Sequence, residues 1–364
     1  MSRFFRIYII PGAVIQSVMV GGGYGTGREI VEYFTTYGAL GGMLGICVAF
    51  IVLATVISLT FEFARVFRAY DYRRFFRRLL GRGWMAYEVL IILLFLLILA
   101  VLASAAGNIL RDNFRIPYGA GLLVMLLVVG VLTFFGRTLI TAALTFWSFF
   151  LYAVFLVFLV AVFNSDSFSI GNAFNTTDVV SGWWWSGLQY AAYNLAAIPL
   201  LLYVARNFET RNEAIFSGVA ASVIALTPAF IFQIAFVAAS PRVLDEPIPV
   251  YWMISQLGMT VFLGIYTVML FGTFIETGAG ILQGINERID GYLAEADGSS
   301  LSPMSRAAIA ISAILISAGL SLIGITDLIA KGYGTMAWGF LIVYVIPLMT
   351  AGVYQLSGAC RTDR

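Results

Sequence analysis

Apolar runs of helical length recur along the chain from residue 8 to residue 356, separated by short polar or arginine-rich stretches. At about 20 apolar residues per membrane crossing, they predict ten spans. These lie near 8–35, 39–63, 84–110, 117–135, 138–163, 183–205, 214–240, 258–285, 305–323 and 334–356. Two of the ten are interrupted. The first contains Val20-Gly21-Gly22-Gly23-Tyr24-Gly25-Thr26-Gly27, and each glycine inside a helix costs roughly 0.5–1 kcal/mol relative to alanine. The helix is expected to break there. The sixth contains Gln189, Tyr190, Tyr193 and Asn194 ahead of Pro199, which removes a backbone donor and disfavours helix just before it. Broken backbone survives at membrane depth only where protein or a water-filled cavity covers it. Two interrupted spans at corresponding places in two halves are the sequence sign of a transporter site built on inverted repeats.

Composition supports the membrane assignment. Of 364 residues, 61% are hydrophobic and 11% charged, against about 25% charged in soluble domains. The chain reads as one transmembrane domain, 1–364, with repeats at about 8–163 and 183–356. Five spans per repeat, an odd number, give the halves opposite topology. Arginine placement sets orientation. With a cytoplasmic N-terminus, only Arg28, Arg111, Arg115, Arg242 and Lys331 of the 21 basic residues fall outside. Both termini are then cytoplasmic, in a cell (inner) membrane. The short basic segment Met1–Arg6 is followed by no small-residue cleavage site, so the first span is expected to be retained. The net charge of +2 gives no reason to expect nucleic acid, since the arginines sit between spans. The basic loop 65–83 alternates arginine with apolar residues at near-helical spacing, as an amphipathic helix on the inner leaflet does.

There is no histidine, which removes the usual proton shuttle and metal ligand. Cys47 and Cys360 are too few for a disulfide framework or a metal cluster. No nucleophile–base spacing suggests an enzyme, and no cofactor is expected beyond a coupling ion. Glu276, within a span, marks a pathway or relay. Thr273 and Thr277 share its helix face by their i, i+3 and i+4 spacing. Such a carboxyl group suits proton carriage, or stays ionised beside a bound cation. Arg28 and Glu32 form an i, i+4 pair, while Glu29 points elsewhere and could face the cavity.

The pattern resembles the LeuT-type fold of the amino acid–polyamine–organocation superfamily, and within it the YkvI-type bacterial membrane proteins. Gly25-Thr26-Gly27 matches the Gly-x-Gly of the family's first-span break, and Gln189 stands where the sixth-span motif has a glutamine. Glu62, in Phe61-Glu62-Phe63-Ala64-Arg65, matches a glutamate that in relatives bonds the frayed backbone of span six. The resemblance implies an all-α integral membrane protein of ten helices with a 5+5 inverted repeat. It implies a secondary transporter of a small polar organic solute, an amino acid or similar molecule, coupled to protons or sodium. A receptor that binds the solute without moving it is the alternative. The substrate would contact Val20, Gly21, Gly22, Gly25, Thr26, Gly27, Gln189, Tyr190, Tyr193 and Asn194. Thr273, Glu276 and Thr277 fall on the span-eight positions that hold sodium in relatives, with a carboxylate replacing the middle hydroxyl. Arg28, Glu29, Glu32 and Glu62 would serve gating or structural support.

Overall fold

The computed structural model describes the backbone of residues 2–135, 137–168, 171, 177, 179–296 and 298–362; within these, the side chains of 22–23, 132–135, 137–146, 148–149, 296 and 360–362 are not described. Among the described residues the regular structure is entirely helical. Six helices are long and apolar enough to cross a membrane: α4 (Ala39–Phe67), α6 (Met85–Phe114), α10 (Arg211–Ala238), α12 (Thr260–Ala296), α13 (Pro303–Ser321) and α14 (Ile325–Ala359). Among the described residues a bent pair, α9 (Trp183–Leu195) and the 3₁₀ segment Ile198–Asn207, is apolar enough to cross only when its two parts, 68° apart, are taken together. Phe5–Met19, Tyr118–Val131 and Phe150–Phe163 are shorter apolar helices. They fall on the predicted first, fourth and fifth spans, the last two within α7 (Tyr118–Phe135) and α8 (Arg137–Phe163).

The first predicted span breaks where its glycines do. Helix α1 (Ile10–Met19) ends at Val20, a single turn α2 (Gly22–Gly25) follows, and α3 (Arg28–Tyr33) starts after Gly27. Gly27 has φ +82°, a left-handed conformation that costs a side-chain-bearing residue. The second interruption also falls where Pro199 predicts it, at the bend between Leu195 and Ile198.

Small residues let the central helices approach closely, the usual membrane solution to packing without a hydrophobic drive between helices. A Cβ on Gly187 of α9 would lie 2.2 Å from the Gly45 carbonyl oxygen of α4, and one on Gly218 of α10 would lie 2.5 Å from the Ser58 amide of α4. Helix α10 is capped by Thr210, which accepts from the Glu213 amide at 3.2 Å while Glu213 accepts from the Thr210 amide at 3.2 Å. That reciprocal box satisfies two otherwise orphaned donors.

The basic loop 65–83 is a helix, α5 (Tyr72–Leu80), but its apolar face does not simply rest on lipid. Phe75 and Phe76 are fully buried by protein. Phe76 stacks on Tyr87 at 3.9 Å, and Phe75 packs on Phe63 at 5.1 Å. Arg73 and Arg77 reach Glu295 at the end of α12 at 3.1 and 2.5 Å. The sequence shows the amphipathicity; the aromatic partners come from the flanking helices α4 and α6 and from Tyr344 of α14, contacts that no local spacing shows.

Candidate functional site

Two groups of side chains converge on the first break. The first group surrounds a cavity of about 50 Å³ lined by Ser17, Val20, Gly21, Trp147, Leu151, Tyr152, Thr273, Glu276 and Thr277. The glycine break supplies one wall and one face of α12 the other. The predicted coupling residues are thus brought to Val20 and Gly21, although more than 250 positions separate them in the chain. The volume suits one or two waters or a monatomic ion, since a water occupies about 30 Å³. Thr273 is held in place: its hydroxyl donates to the Met269 carbonyl at 3.0 Å and accepts from the Trp147 indole at 3.2 Å. Glu276 is half-buried and makes no ion pair among the described residues. Trp147 and Tyr152 are contributions that sequence reading missed. They come from α8, whose predicted span carries no charged residue and only the small hydroxyls Thr138, Thr141, Thr145 and Ser148, whose side chains lie outside the described residues.

The second group surrounds Glu29. This carboxylate is 5% exposed and accepts a hydrogen bond from the Tyr193 hydroxyl at 2.5 Å. Tyr33, Tyr190 and Tyr333 pack against Tyr193 beside it. The rings pack closely: Tyr33–Tyr190 5.8 Å, Tyr33–Tyr193 5.5 Å, Tyr190–Tyr193 5.6 Å and Tyr193–Tyr333 4.8 Å between centroids. Tyr33 donates to the Ile329 carbonyl at 3.2 Å, tying α3 to α14. The hydroxyls of Tyr24 and Tyr190 are buried without a hydrogen-bond partner among the described residues.

Other predicted residues are used differently. The Gly25 carbonyl accepts from the Tyr266 hydroxyl at 2.8 Å, and the Thr26 carbonyl accepts from the Val250 amide at 3.2 Å. The Thr26 hydroxyl accepts from the Arg28 amide at 3.2 Å. Gly27 is wedged against Phe236 and Val250, where a Cβ would lie within 2.5 Å of the ring. These three positions are closed by α12, α10 and α11 (Pro249–Gln256), so Val20 and Gly21 are the part of the break that lines the cavity. Gly22 is in α2, its surroundings outside the described residues. Gln189 lies beside Gly334 in α14. Asn194 donates back to the Tyr190 carbonyl of its own helix at 2.9 Å.

Arg28 is buried and bonds Glu32 at 2.7 Å, as its i, i+4 spacing predicts. It also reaches forward across the chain, donating to the carbonyls of Leu244 at 2.6 Å and Glu246 at 3.2 Å. The loop before α11 is thereby drawn over the first break. Glu62, expected on the span-six backbone, gives both its oxygens to Arg65 at 2.8 Å each. Support for the end of the sixth span is indirect, through the Arg65 guanidinium donating to the Glu209 carbonyl at 3.3 Å. Opposite this closed end, an open cavity of about 810 Å³ lies between α5, Leu200 of the bent segment and the last turns of α12, from Gly280 to Glu295.

No family model matches the chain. It is 25% identical over 289 residues to the uncharacterized membrane protein YkvI of Bacillus subtilis (strain 168), covering 77% of this chain and 80% of that one. Among solved structures it resembles a manganese transporter of Eremococcus coleocola, at a TM-score of 0.56 and 13% identity over 93% of this chain and 77% of that one. It also resembles Mhp1 in its inward-facing conformation, at a TM-score of 0.52 and 13% identity over 92% of this chain and 76% of that one. A Na⁺-coupled sialic acid symporter matches at a TM-score of 0.50 and 14% identity, over 94% and 87%. The chain therefore resembles YkvI over most of its length and has the fold of the LeuT-type transporters.

Proposed function

We propose that the chain is a secondary transporter that moves a small polar organic solute by alternating access, with Glu276 coupling a proton or sodium ion to the movement. The observation that carries this reading is the small cavity in which the broken first helix meets Glu276, Thr273 and Thr277. Isolated from any basic partner among the described residues, that carboxylate has a reason to take up a cation. Binding there ties α1 to α12. An ion drives a conformational change only through different affinities for the two states, and a site divided between two helices is made or broken by their relative motion.

The LeuT-type fold supports ten spans in a 5+5 inverted repeat, and the placement of the arginines supports cytoplasmic termini in the cell membrane. In that orientation the end sealed by Arg28 is the outer one, and the cavity beside α5 opens inward. The arrangement favours an organic solute over a transition metal, because the chain has no histidine and no group of three Cys, Asp or Glu comes together among the described residues.

The test uses purified protein in liposomes enclosing a pH-sensitive dye. Amino acids and related solutes are added in turn, with and without sodium, to wild type and Glu276→Gln. Solute-driven acidification lost in the variant identifies a proton relay, and sodium-dependent uptake without acidification identifies a cation site. Saturable binding with no flux would overturn transport and make the protein a receptor.

A further inference from the structure

We propose that Gln16 is a positioning residue for the Glu276 cavity, held by a reciprocal lock between the first half-helix and α10. In that lock each helix donates a hydrogen bond to a carbonyl that a proline leaves open in the other. From the functional reading the proposal takes only that this cavity holds the coupling ion.

Proline has no N–H, so the carbonyl four residues before it loses its α-helical donor. Pro11, at the start of α1, does this to Ile7 in the preceding turn Phe5–Ile9. Pro228, inside α10, does it to Ile224 in the middle of that helix. Where water is excluded, a neighbouring helix has to supply the donor. Each helix meets the other's need. The buried Ser217 hydroxyl of α10 donates to the Ile7 carbonyl at 2.7 Å, and the Gln16 side-chain amide of α1 donates to the Ile224 carbonyl at 2.9 Å. Between the two bonds Gly12 lets the helices touch. A Cβ there would lie 3.1 Å from the Ala221 Cα and 2.5 Å from the Ile224 Cδ1.

Gln16 also links the lock to the cavity. A carboxamide carries its donors and its acceptor on separate atoms. While the nitrogen is given to Ile224, the oxygen accepts from the Tyr152 hydroxyl of α8 at 3.3 Å. Tyr152 lines the cavity with Glu276, and Ser17, next in the chain after Gln16, lines it from α1. One side chain thus joins α1, α10 and α8 beside the cavity. No described residue of α10 lines the cavity itself, so the carbonyl that Pro228 frees acts there through Gln16. If Gln16 turned away, that carbonyl would be left bare, at the cost of an unmet buried acceptor. The wall from Ser17 to Gly21 is therefore held by the bond that repairs α10.

The experiment is a double-mutant cycle on the full-length protein in detergent, read by thermal unfolding. Gln16→Leu bares the Ile224 carbonyl and should lower the unfolding temperature by a few degrees. Pro228→Ala returns an N–H to α10 where that carbonyl needs it, so in this background Gln16→Leu should cost little. Ser217→Ala and Pro11→Ala form a second cycle with the same expectation, and it decides the lock should Gln16→Leu fail to fold. Position is read separately, by maleimide labelling of Ser17→Cys with Cys47 and Cys360 replaced by serine. Gln16→Leu should speed labelling by about twofold to tenfold, the worth of one neutral hydrogen bond. Tyr152→Phe, which removes only the hydroxyl on Gln16, should move it the same way by less. Pro228→Ala should restore the stability of Gln16→Leu and leave its labelling fast, because it repairs α10 without holding α1. Packing alone would move the two readouts together. The proposal is overturned if the costs within the cycles simply add, if neither Gln16→Leu nor Tyr152→Phe alters labelling, or if Pro228→Ala returns labelling to the wild-type rate. Neither readout needs flux, so a protein that carries nothing leaves the lock standing, and additive cycles sink the lock while leaving transport untouched.

Discussion

Gly187 shows how little room the central helices leave. A Cβ there would lie 2.2 Å from the Gly45 carbonyl oxygen and 3.0 Å from its carbon, and backbone cannot swing aside as a side-chain tip can. Gly187→Ala should therefore push α9 away from α4 and displace Tyr190 and Tyr193, which follow within two turns. Overpacking of this kind costs about 1–3 kcal/mol, to be read as a lower thermal unfolding temperature in detergent. Gly264 of α12 is the control, since nothing stands within 4 Å of a Cβ built on it. Gly264→Ala should leave stability unchanged or raise it by up to about 1 kcal/mol, through helix propensity alone. A Gly187→Ala protein as stable as wild type would show that the two helices are not locked at this contact. The sequence contains all 36 glycines without indicating which ones touch a neighbour. At Gly27, by contrast, the cluster itself announced the break, because five glycines in seven residues are a local property.

Two clamps hold elements at the end that the proposed orientation puts inside, and they differ in what surrounds them. Arg288 of α12 pairs with Glu88 of α6 at 2.7 Å, with both side chains nearly buried and the guanidinium 4.2 Å from the centre of the Tyr72 ring. Removing one partner of such a pair leaves an uncompensated charge, and Glu88→Gln should cost about 3–5 kcal/mol. The clamp from Arg73 and Arg77 to Glu295 is different, for the Glu295 side chain is 43% exposed. Exposed pairs are worth about 0–1 kcal/mol, so Glu295→Gln should barely move the unfolding temperature. Its effect should appear instead as faster amide exchange along α5, which closes one side of the inner cavity. Equal unfolding temperatures for the two variants would refute the distinction. The sequence shows Glu88 as a carboxylate within an apolar run and leaves snorkelling or pairing open. Its partner lies 200 positions away, beyond any local spacing rule. The tyrosines near Glu29 were partly legible, since Tyr190 and Tyr193 were expected at the sixth-span break and Tyr33 stands at i, i+4 from Glu29; Tyr333, far along the chain, was not, whereas the i, i+4 pair of Arg28 and Glu32 was plain.

For the whole molecule, the arrangement is one of unequal ends. The end that the proposed orientation puts outside is sealed by Arg28 on the loop before α11, by the Val250 amide on the Thr26 carbonyl, and by Tyr33 on α14. The other end opens into a cavity of about 810 Å³. If the protein alternates, these seals must part together, because α3 takes part in all of them or adjoins them. A disulfide between Thr26→Cys and Val250→Cys should hold the outer end shut. The Val250 amide donates to the Thr26 carbonyl at 3.2 Å, which brings the two backbones close to the roughly 4.4–6.8 Å Cα separation that a disulfide spans. With Cys47 and Cys360 replaced by serine, and Ser17→Cys added after oxidation is excluded for the single variant, the state can be read by labelling. Ser17 is exposed and lines the Glu276 cavity. In oxidised protein, an impermeant maleimide should reach Ser17→Cys from the inner side only, at a rate unaffected by solute or sodium. Reduction should restore both the response to ligand and the flux. Oxidised protein that still carries solute would mean that α3 and α11 do not separate during the cycle, and that the contacts at the first break are fixed parts of the scaffold.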